Sequence, residues 1–96
     1  MSFVQLRNFV TVAEEGSVSR AAKRLAISQP PLTRQLRALE DELQTPLFKR
    51  NARGVELLPA GHRLLAHAKE ILEAVARAEA AMLSARGELR PTAYNT

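Results

Sequence analysis

The sequence predicts a mainly α-helical fold with one small two-stranded β-hairpin and a long final helix. Apolar residues recur at helical spacing through most of the chain, which indicates amphipathic helices. Two short apolar runs flank a polar loop at residues 49–54, which is typical of a hairpin. The segment after Pro59 contains few helix breakers. With 96 residues, the chain has room for one small domain and little more.

Capping signals define the first two helices. Ser2 begins a capping-box pattern, so the first helix covers about 3–15, and Gly16 ends it. Ser17 then caps a second helix over about 18–25, whose small alanines allow close packing. The inward residues expected on these helices are Phe3, Leu6, Phe9, Val10, Ala13, Val18, Ala21, Ala22 and Leu25.

The third helix opens on two consecutive prolines and runs to about Leu43. Because proline has no N–H and disfavours helical geometry in the preceding residue, we expect this helix to begin near Pro30 or Pro31, with Ser28 unable to cap it in the ordinary way. The expected core residues here are Ile27, Leu32, Leu36, Leu39 and Leu43. The opposite face carries Pro30, Thr33, Arg34 and Arg37.

The hairpin follows the third helix, with Gly54 supplying a positive φ angle and two arginines, Arg50 and Arg53, at or near its tip. Pro59 begins the final helix and Gly87 ends it, giving a length of roughly 40 Å. Its apolar residues alternate steps of four and three, as in a coiled coil. We expect this stripe to form a homodimer interface, with a fold back onto its own domain as the alternative. The predicted interface residues are Leu64, Leu65, Ala68, Ile71, Leu72, Val75, Ala78, Met82 and Leu83.

Charge is unevenly distributed along the chain. The net charge is +4 and the pI about 10.3. Residues 16–39 contain no acid, nor do residues 43–55, so one basic face is plausible, as are two ordinary solvated surfaces. The run Glu40–Glu42 is most simply a solvated helix face.

No constellation for catalysis or metal binding is visible. The chain has no cysteine, and its two histidines, His62 and His67, are five residues apart and do not share a helix face. There is no glycine-rich phosphate loop and no nucleophile with a nearby base. We therefore expect no enzyme activity, no metal and no cofactor. We also expect no signal peptide, because the N-terminus looks helical and lacks a basic n-region, an apolar h-region and a cleavage site, and no membrane span, because no apolar run is long enough.

The order of elements is that of a winged helix-turn-helix. In this motif the N-terminal residues of the second motif helix contact base edges in the major groove of double-stranded DNA. A basic hairpin tip can reach the adjacent minor groove, where narrow A·T-rich DNA attracts arginine. The basic residues of this sequence lie where that geometry needs them.

The stretch FVTVAEEGSVSRAAKRLAISQPPLTRQLRALEDELQTPLFKR, followed by GVELLPAG, closely resembles the N-terminal DNA-binding domain of LysR-type transcriptional regulators. The resemblance implies a DNA-binding domain at 1–58, a linker and dimerisation helix at 59–87, and a hinge or disordered tail at 88–96. It also implies a bacterial, cytoplasmic, nucleoid-associated regulator whose dimer binds an interrupted inverted repeat at a promoter. Tetramers and a small-molecule effector would depend on a C-terminal domain that we expect to be missing here.

The same resemblance implies roles for individual residues. Those expected to contact bases are Gln29, Pro30, Pro31, Thr33, Arg34, Arg37 and Arg53. Those expected to contact phosphate are Ser17, Arg20, Ser28 and Arg50. Three positions depart from the family pattern: Pro31 replaces a frequent alanine, Gln44 a usual glycine and Leu58 a usual threonine cap. Gln44 must therefore adopt an awkward backbone conformation or end the helix differently.

A second hypothesis remains open from the residues alone. The chain could be a winged-helix interaction module that pairs through its long helix and has lost DNA binding. The basic first turn of the third helix and Arg53 favour DNA binding, because an interaction module would not need them.

Overall fold

The computed structural model describes the backbone of residues 1–95 and the side chains of residues 1–87. It confirms the predicted fold class of helices with a two-stranded antiparallel wing. Along the chain the elements are α1 (Phe3–Glu15), α2 (Val18–Leu25), α3 (Gln29–Leu43), β1 (Phe48–Asn51), β2 (Gly54–Leu57) and α4 (Pro59–Asn95).

Local capping explains the helix boundaries. The Ser2 hydroxyl accepts the Gln5 N–H and the Gln5 side chain accepts the Ser2 N–H, which completes the predicted capping box of α1. Gly16, with φ 64°, ends α1, and the Ser17 hydroxyl accepts the Arg20 N–H to cap α2. The predicted boundaries of both helices are confirmed.

The ends of α2 and α3 use non-glycine residues in the left-handed conformation. Ala26 has φ 56° and Gln44 has φ 51°. At both ends the next residue donates its N–H five positions back, from Ile27 to Ala22 and from Thr45 to Glu40. Gln44 therefore takes the awkward conformation rather than a different helix end, at a cost that glycine would not have.

Three of the residues predicted to face the core are exposed instead. Ile27 is 40% exposed, because the left-handed turn at Ala26 directs it to the surface rather than beneath the helices. Leu43 is 37% exposed, since it is the last residue of α3, beside the turn at Gln44. Phe3, at the first position of α1, is also exposed.

The core lies where α1 contacts α2, α3 and the first half of α4. The Phe9 ring, fully buried, packs against Phe48 with ring centroids 5.3 Å apart, which joins α1 to the wing. The buried apolar residues are Leu6, Phe9, Val10, Val12, Ala21, Ala22, Leu32, Leu36, Leu39, Leu47 and Ala68.

The hairpin from Phe48 to Leu57 is called the wing below. Its strands pair in register from Phe48 opposite Leu57 to Asn51 opposite Gly54, so the turn consists of Ala52 and Arg53 alone. The loop is thus shorter than predicted, because residues 49–51 continue the strand. The Asn51 carboxamide accepts the Arg53 N–H at 2.9 Å and donates to Glu56, which stabilises this tight turn.

The final helix is longer than predicted. Its backbone continues from Pro59 to Asn95, so Gly87 is an interior residue and the predicted helix end there is wrong. Among the described residues, a Cβ atom at Gly87 would meet nothing within 4 Å outside its own helix backbone, and a helix can pass through a glycine at a modest cost. The hinge or tail predicted at 88–96 lies outside the residues whose side chains are described. No helix in the described part of the chain has the length and apolar character needed to cross a membrane.

Candidate nucleic-acid interface

The N-terminal end of α3 is exposed and lacks backbone donors. Its N-cap, Ser28, makes no side-chain capping hydrogen bond, as predicted, because Pro30 and Pro31 occupy the positions whose N–H groups it would bind. Ser28, Gln29 and Pro30 are exposed, while Pro31 is half-buried. The Ser28 hydroxyl and the Gln29 carboxamide therefore make no hydrogen bond to the first turn of α3, and they lie next to the rigid apolar rings of Pro30 and Pro31.

Arginines extend from this helix end along the same exposed side. Arg34 and Arg37 are exposed, and Thr33 is half-buried between them and the prolines. Pro31 and Arg34 line a shallow depression together with Gln35 and Ala38. Among residues 1–87, the carboxylates make no salt bridge with Arg34 or Arg37, so their charge is available to an outside partner.

The arginines of α2 are arranged differently. Arg24 donates to Glu14 at 2.8 Å and to Glu15 at 3.3 Å, and these hydrogen bonds raise the pKa of Arg24 above its ordinary value. Arg20 donates to the Glu15 backbone carbonyl at 2.6 Å, at the C-terminal end of α1. These two side chains neutralise the acidic end of α1, so the basic face is narrower than the sequence suggests and centres on α3.

Arg53 is one of the two residues of the wing turn, so its positive charge lies at the tip of the wing. Arg50 lies within β1 opposite Val55 rather than at the tip, and both arginines are exposed. Within the described side chains neither makes a salt bridge. The domain thus carries exposed positive charge in two places, at the tip of the wing and at the N-terminal end of α3.

Two contacts that the sequence did not indicate hold the wing in place. Glu40, expected to be a solvated residue of α3, is half-buried and accepts the N–H groups of Leu47 at 2.6 Å and Phe48 at 3.3 Å. The Gly16 carbonyl accepts the Val55 N–H at 3.1 Å. No periodicity marks such long-range contacts in the sequence.

A Cβ atom at Gly54 would overlap the carbonyl oxygen of Gly16, and Gly54 has φ 141°. The predicted positive φ is therefore confirmed, and a second requirement for glycine is added. Gly61 is similarly placed, because a Cβ atom there would overlap the carbonyl oxygen of Leu47. Both glycines permit the wing to lie directly against neighbouring backbone.

The residues predicted for a dimer interface fall into two groups. The first group packs within the chain: Ala68 is fully buried, and three leucines are partly buried against the core, namely Leu64, Leu65 and Leu72. The predicted alternative, a fold back onto the same domain, thus describes the first half of α4. The second group is mostly exposed and remains the predicted interface: Ile71, Val75, Ala78, Met82 and Leu83.

Known proteins share this architecture. Residues 3–62 match the family described as "Bacterial regulatory helix-turn-helix protein, lysR family". The transcriptional regulator ClcR of Pseudomonas putida is 48% identical over 100 residues, covering 100% of this chain and 34% of ClcR. The chain thus spans about a third of the length of the curated relatives it matches.

Two solved structures align over 88% of this chain. One is a CbnR_DBD–DNA complex, with 48% identity, a TM-score of 0.83 and 98% of that chain covered. The other is a complex of BenM_DBD with catB site 1 DNA, with 39% identity, a TM-score of 0.85 and 94% covered. The chain belongs to the LysR family of bacterial regulatory helix-turn-helix proteins.

Proposed function

We propose that this chain is the sequence-specific DNA-binding part of a LysR-type transcriptional regulator. The observation that carries the proposal is the exposed N-terminal end of α3, where Arg34 and Arg37 form no salt bridge with any acid among residues 1–87, on a domain whose wing displays Arg53. The similar domains of CbnR and BenM form complexes with DNA, which supports the same partner for this one.

In this proposal α3 enters the major groove by its N-terminal end. The Gln29 carboxamide can pair with adenine, and Arg34 and Arg37 can reach guanine or phosphate. The rings of Pro30 and Pro31, with the Thr33 methyl group, supply apolar contact to thymine methyl groups. Arg53 enters the minor groove, where a narrow A·T-rich segment attracts a guanidinium.

Contacts to phosphate fix the register of the domain on the duplex. Ser17 and Ser28 place hydroxyl groups at the N-terminal ends of α2 and α3, and helix N-termini favour anions. Arg20 and Arg50 supply charge next to them. Arg20 keeps its bond to the Glu15 carbonyl, which holds the guanidinium near the start of α2.

The proposal includes a homodimer that reads an interrupted inverted repeat at a promoter. A two-fold symmetric protein presents two equivalent recognition helices to two half-sites. The exposed apolar residues of the second half of α4 provide the pairing surface. Tetramers and an effector response would require further protein outside this chain, and the site of action would be the bacterial cytoplasm, where promoter DNA is found.

The test is an electrophoretic mobility shift on the promoter region next to the protein's own gene, at several salt concentrations. We expect log Kd to depend linearly on log salt, and the double variant R34A/R53A to weaken binding by at least tenfold at 100 mM salt. Each lost phosphate contact should lower the slope by about 0.9.

The matched control is K69A/R77A, which removes the same charge from exposed positions on α4. It should bind within about twofold of the unsubstituted chain, because neither side chain belongs to the proposed DNA interface and charges separated by more than a Debye length, about 10 Å at 0.1 M salt, are largely screened. Negligible binding at low salt, or equal losses in both double variants, would contradict the proposal.

A further inference from the structure

We propose that Glu40 and Gly54 are positioning residues that hold the wing at a fixed place relative to the N-terminal end of α3. This inference rests on the proposed function, since its readout is DNA binding. It goes further because neither residue is expected to contact DNA. Both act through the backbone of the wing and determine where Arg53 stands.

The first anchor joins α3 to β1. The Glu40 carboxylate is half-buried and accepts two consecutive N–H groups, those of Leu47 and Phe48, through one oxygen atom. Two backbone donors converging on an ionised acceptor make stronger hydrogen bonds than neutral pairs do. Because Glu40 belongs to the helix whose other end reads the groove, the start of the wing is tied directly to the recognition helix.

The second anchor joins β2 to the turn between α1 and α2. The Gly54 backbone packs so closely on Gly16 that a Cβ atom would overlap the Gly16 carbonyl oxygen. The same carbonyl accepts the Val55 N–H at 3.1 Å. The same turn carries Ser17, the cap of α2, and directly follows Glu15, whose carbonyl accepts a hydrogen bond from Arg20. The position of Arg53, one residue before Gly54, is therefore coupled to the phosphate-contacting end of α2.

The two anchors act on different strands of one hairpin. An isolated two-stranded hairpin has little rigidity of its own, so contacts at both strands are needed to define its direction. Arg53 sits in the two-residue turn beyond both anchors. A shift of the wing at either anchor would move the guanidinium away from the minor groove while leaving α3 undisturbed.

The experiment is a double-mutant cycle between each anchor and Arg53, using the 96-residue chain and its promoter duplex. In the unsubstituted background we expect R53A to weaken binding about tenfold. We expect G54A alone and E40A alone each to weaken DNA binding by a similar factor. In either of these backgrounds, adding R53A should weaken binding by less than about a further twofold. Additive losses would overturn the proposal, because they would mean that Arg53 still reaches the DNA.

Two matched controls separate positioning from general damage. E40Q keeps an oxygen acceptor for the two N–H groups and should recover most of the affinity lost in E40A. G87A makes the same Gly→Ala change where the added Cβ atom would meet no described atom within 4 Å beyond its own helix backbone, and it should bind as the unsubstituted chain does. Failure of E40Q to recover binding would overturn the role of Glu40. Thermal melts followed by far-ultraviolet circular dichroism establish that each variant is folded.

Footprinting gives a readout that a loss of stability would not imitate. Hydroxyl radicals report the minor groove and dimethyl sulfate reports guanine in the major groove. For folded G54A at saturating protein we expect loss of minor-groove protection at the flank with retention of major-groove protection. Loss of both together would overturn the inference, while an unsubstituted chain that gives no footprint at all would overturn the proposed function itself.

Discussion

At the scale of single residues, the recognition end of α3 is shaped by what its backbone lacks. A helix N-terminus normally exposes N–H groups that must give up water when they enter a groove. Pro30 and Pro31 remove two of these donors, and the Ser28 hydroxyl makes no cap. If this end enters the groove as proposed, fewer backbone donors would lose water there, and the polar groups of Ser28 and Gln29 would remain available to bases or phosphate.

We expect P31A to leave the fold intact and to weaken the preference for thymine at one operator position. Alanine is compatible with a helix, while the lost ring removes contact with a methyl group worth about 0.8 kcal/mol, or roughly fourfold in Kd. The measurement replaces each operator thymine by deoxyuridine, which lacks that methyl group. One such replacement should weaken the unsubstituted chain and leave P31A unaffected; identical losses in both proteins would refute the idea.

At the scale of whole elements, helix ends and strand pairing differ in how well local sequence predicts them. The missing cap at Ser28 follows from counting backbone donors around the prolines and was correctly predicted, whereas α3 begins at Gln29, one residue before the predicted start at Pro30 or Pro31. The exposure of Ile27 was not, since nothing local marks Ala26 for a left-handed conformation. The role of Glu40 was missed for a related reason: its partners are seven and eight residues away, across a turn whose geometry is set by packing.

The C-terminal end of α3 offers a test of stability. Gln44 has φ 51°, a conformation that costs a non-glycine residue about 1–2 kcal/mol. We expect Q44G to raise the free energy of unfolding by about 0.5–1 kcal/mol, because part of the relief is offset by the greater entropy of unfolded glycine. The thermal midpoint should rise by several degrees in a domain of this size.

The matched control for that experiment is A38G, at an exposed position inside the same helix. It should lower the free energy of unfolding by about 1 kcal/mol, the usual cost of a helix-interior glycine. Thermal and urea melts followed by circular dichroism measure both variants. Destabilisation by Q44G would show that the glutamine side chain has a compensating contact.

At the scale of the whole molecule, α4 performs two tasks along its length. Its first half completes the core through Ala68, which is fully buried, and Leu72, which packs on it. Its second half exposes Met82 and Leu83, each 66% accessible, which is unusual for neighbouring large apolar side chains on a small domain. The predicted dimer therefore depends on the exposed apolar residues from Ile71 onward, whereas Ala68 and Leu72 belong to the core of the domain itself.

We expect M82D to shift the chain from dimer to monomer in sedimentation experiments at micromolar concentration, because the carboxylate would be buried in an apolar interface. I71D should weaken the dimer too, since Ile71 is also exposed. The control is A80D, which adds the same charge about 200° around the helix from Met82 and should remain dimeric. An unsubstituted chain that is monomeric at these concentrations would contradict the interface.

The union of α4 with the core has a consequence for the spacing of operator half-sites. The helix α4 continues without a break from the core, where Leu72 packs, towards its C-terminal end. The orientation of each DNA-binding domain is therefore fixed relative to the distal part of its own α4 helix. One inserted residue between Leu72 and Met82 would advance the distal half by about 1.5 Å and rotate it by about 100°. In a dimer, the number of residues in this helix would therefore determine how the two DNA-binding domains are rotated and spaced relative to each other, and with them the spacing of the two half-sites that they can bind.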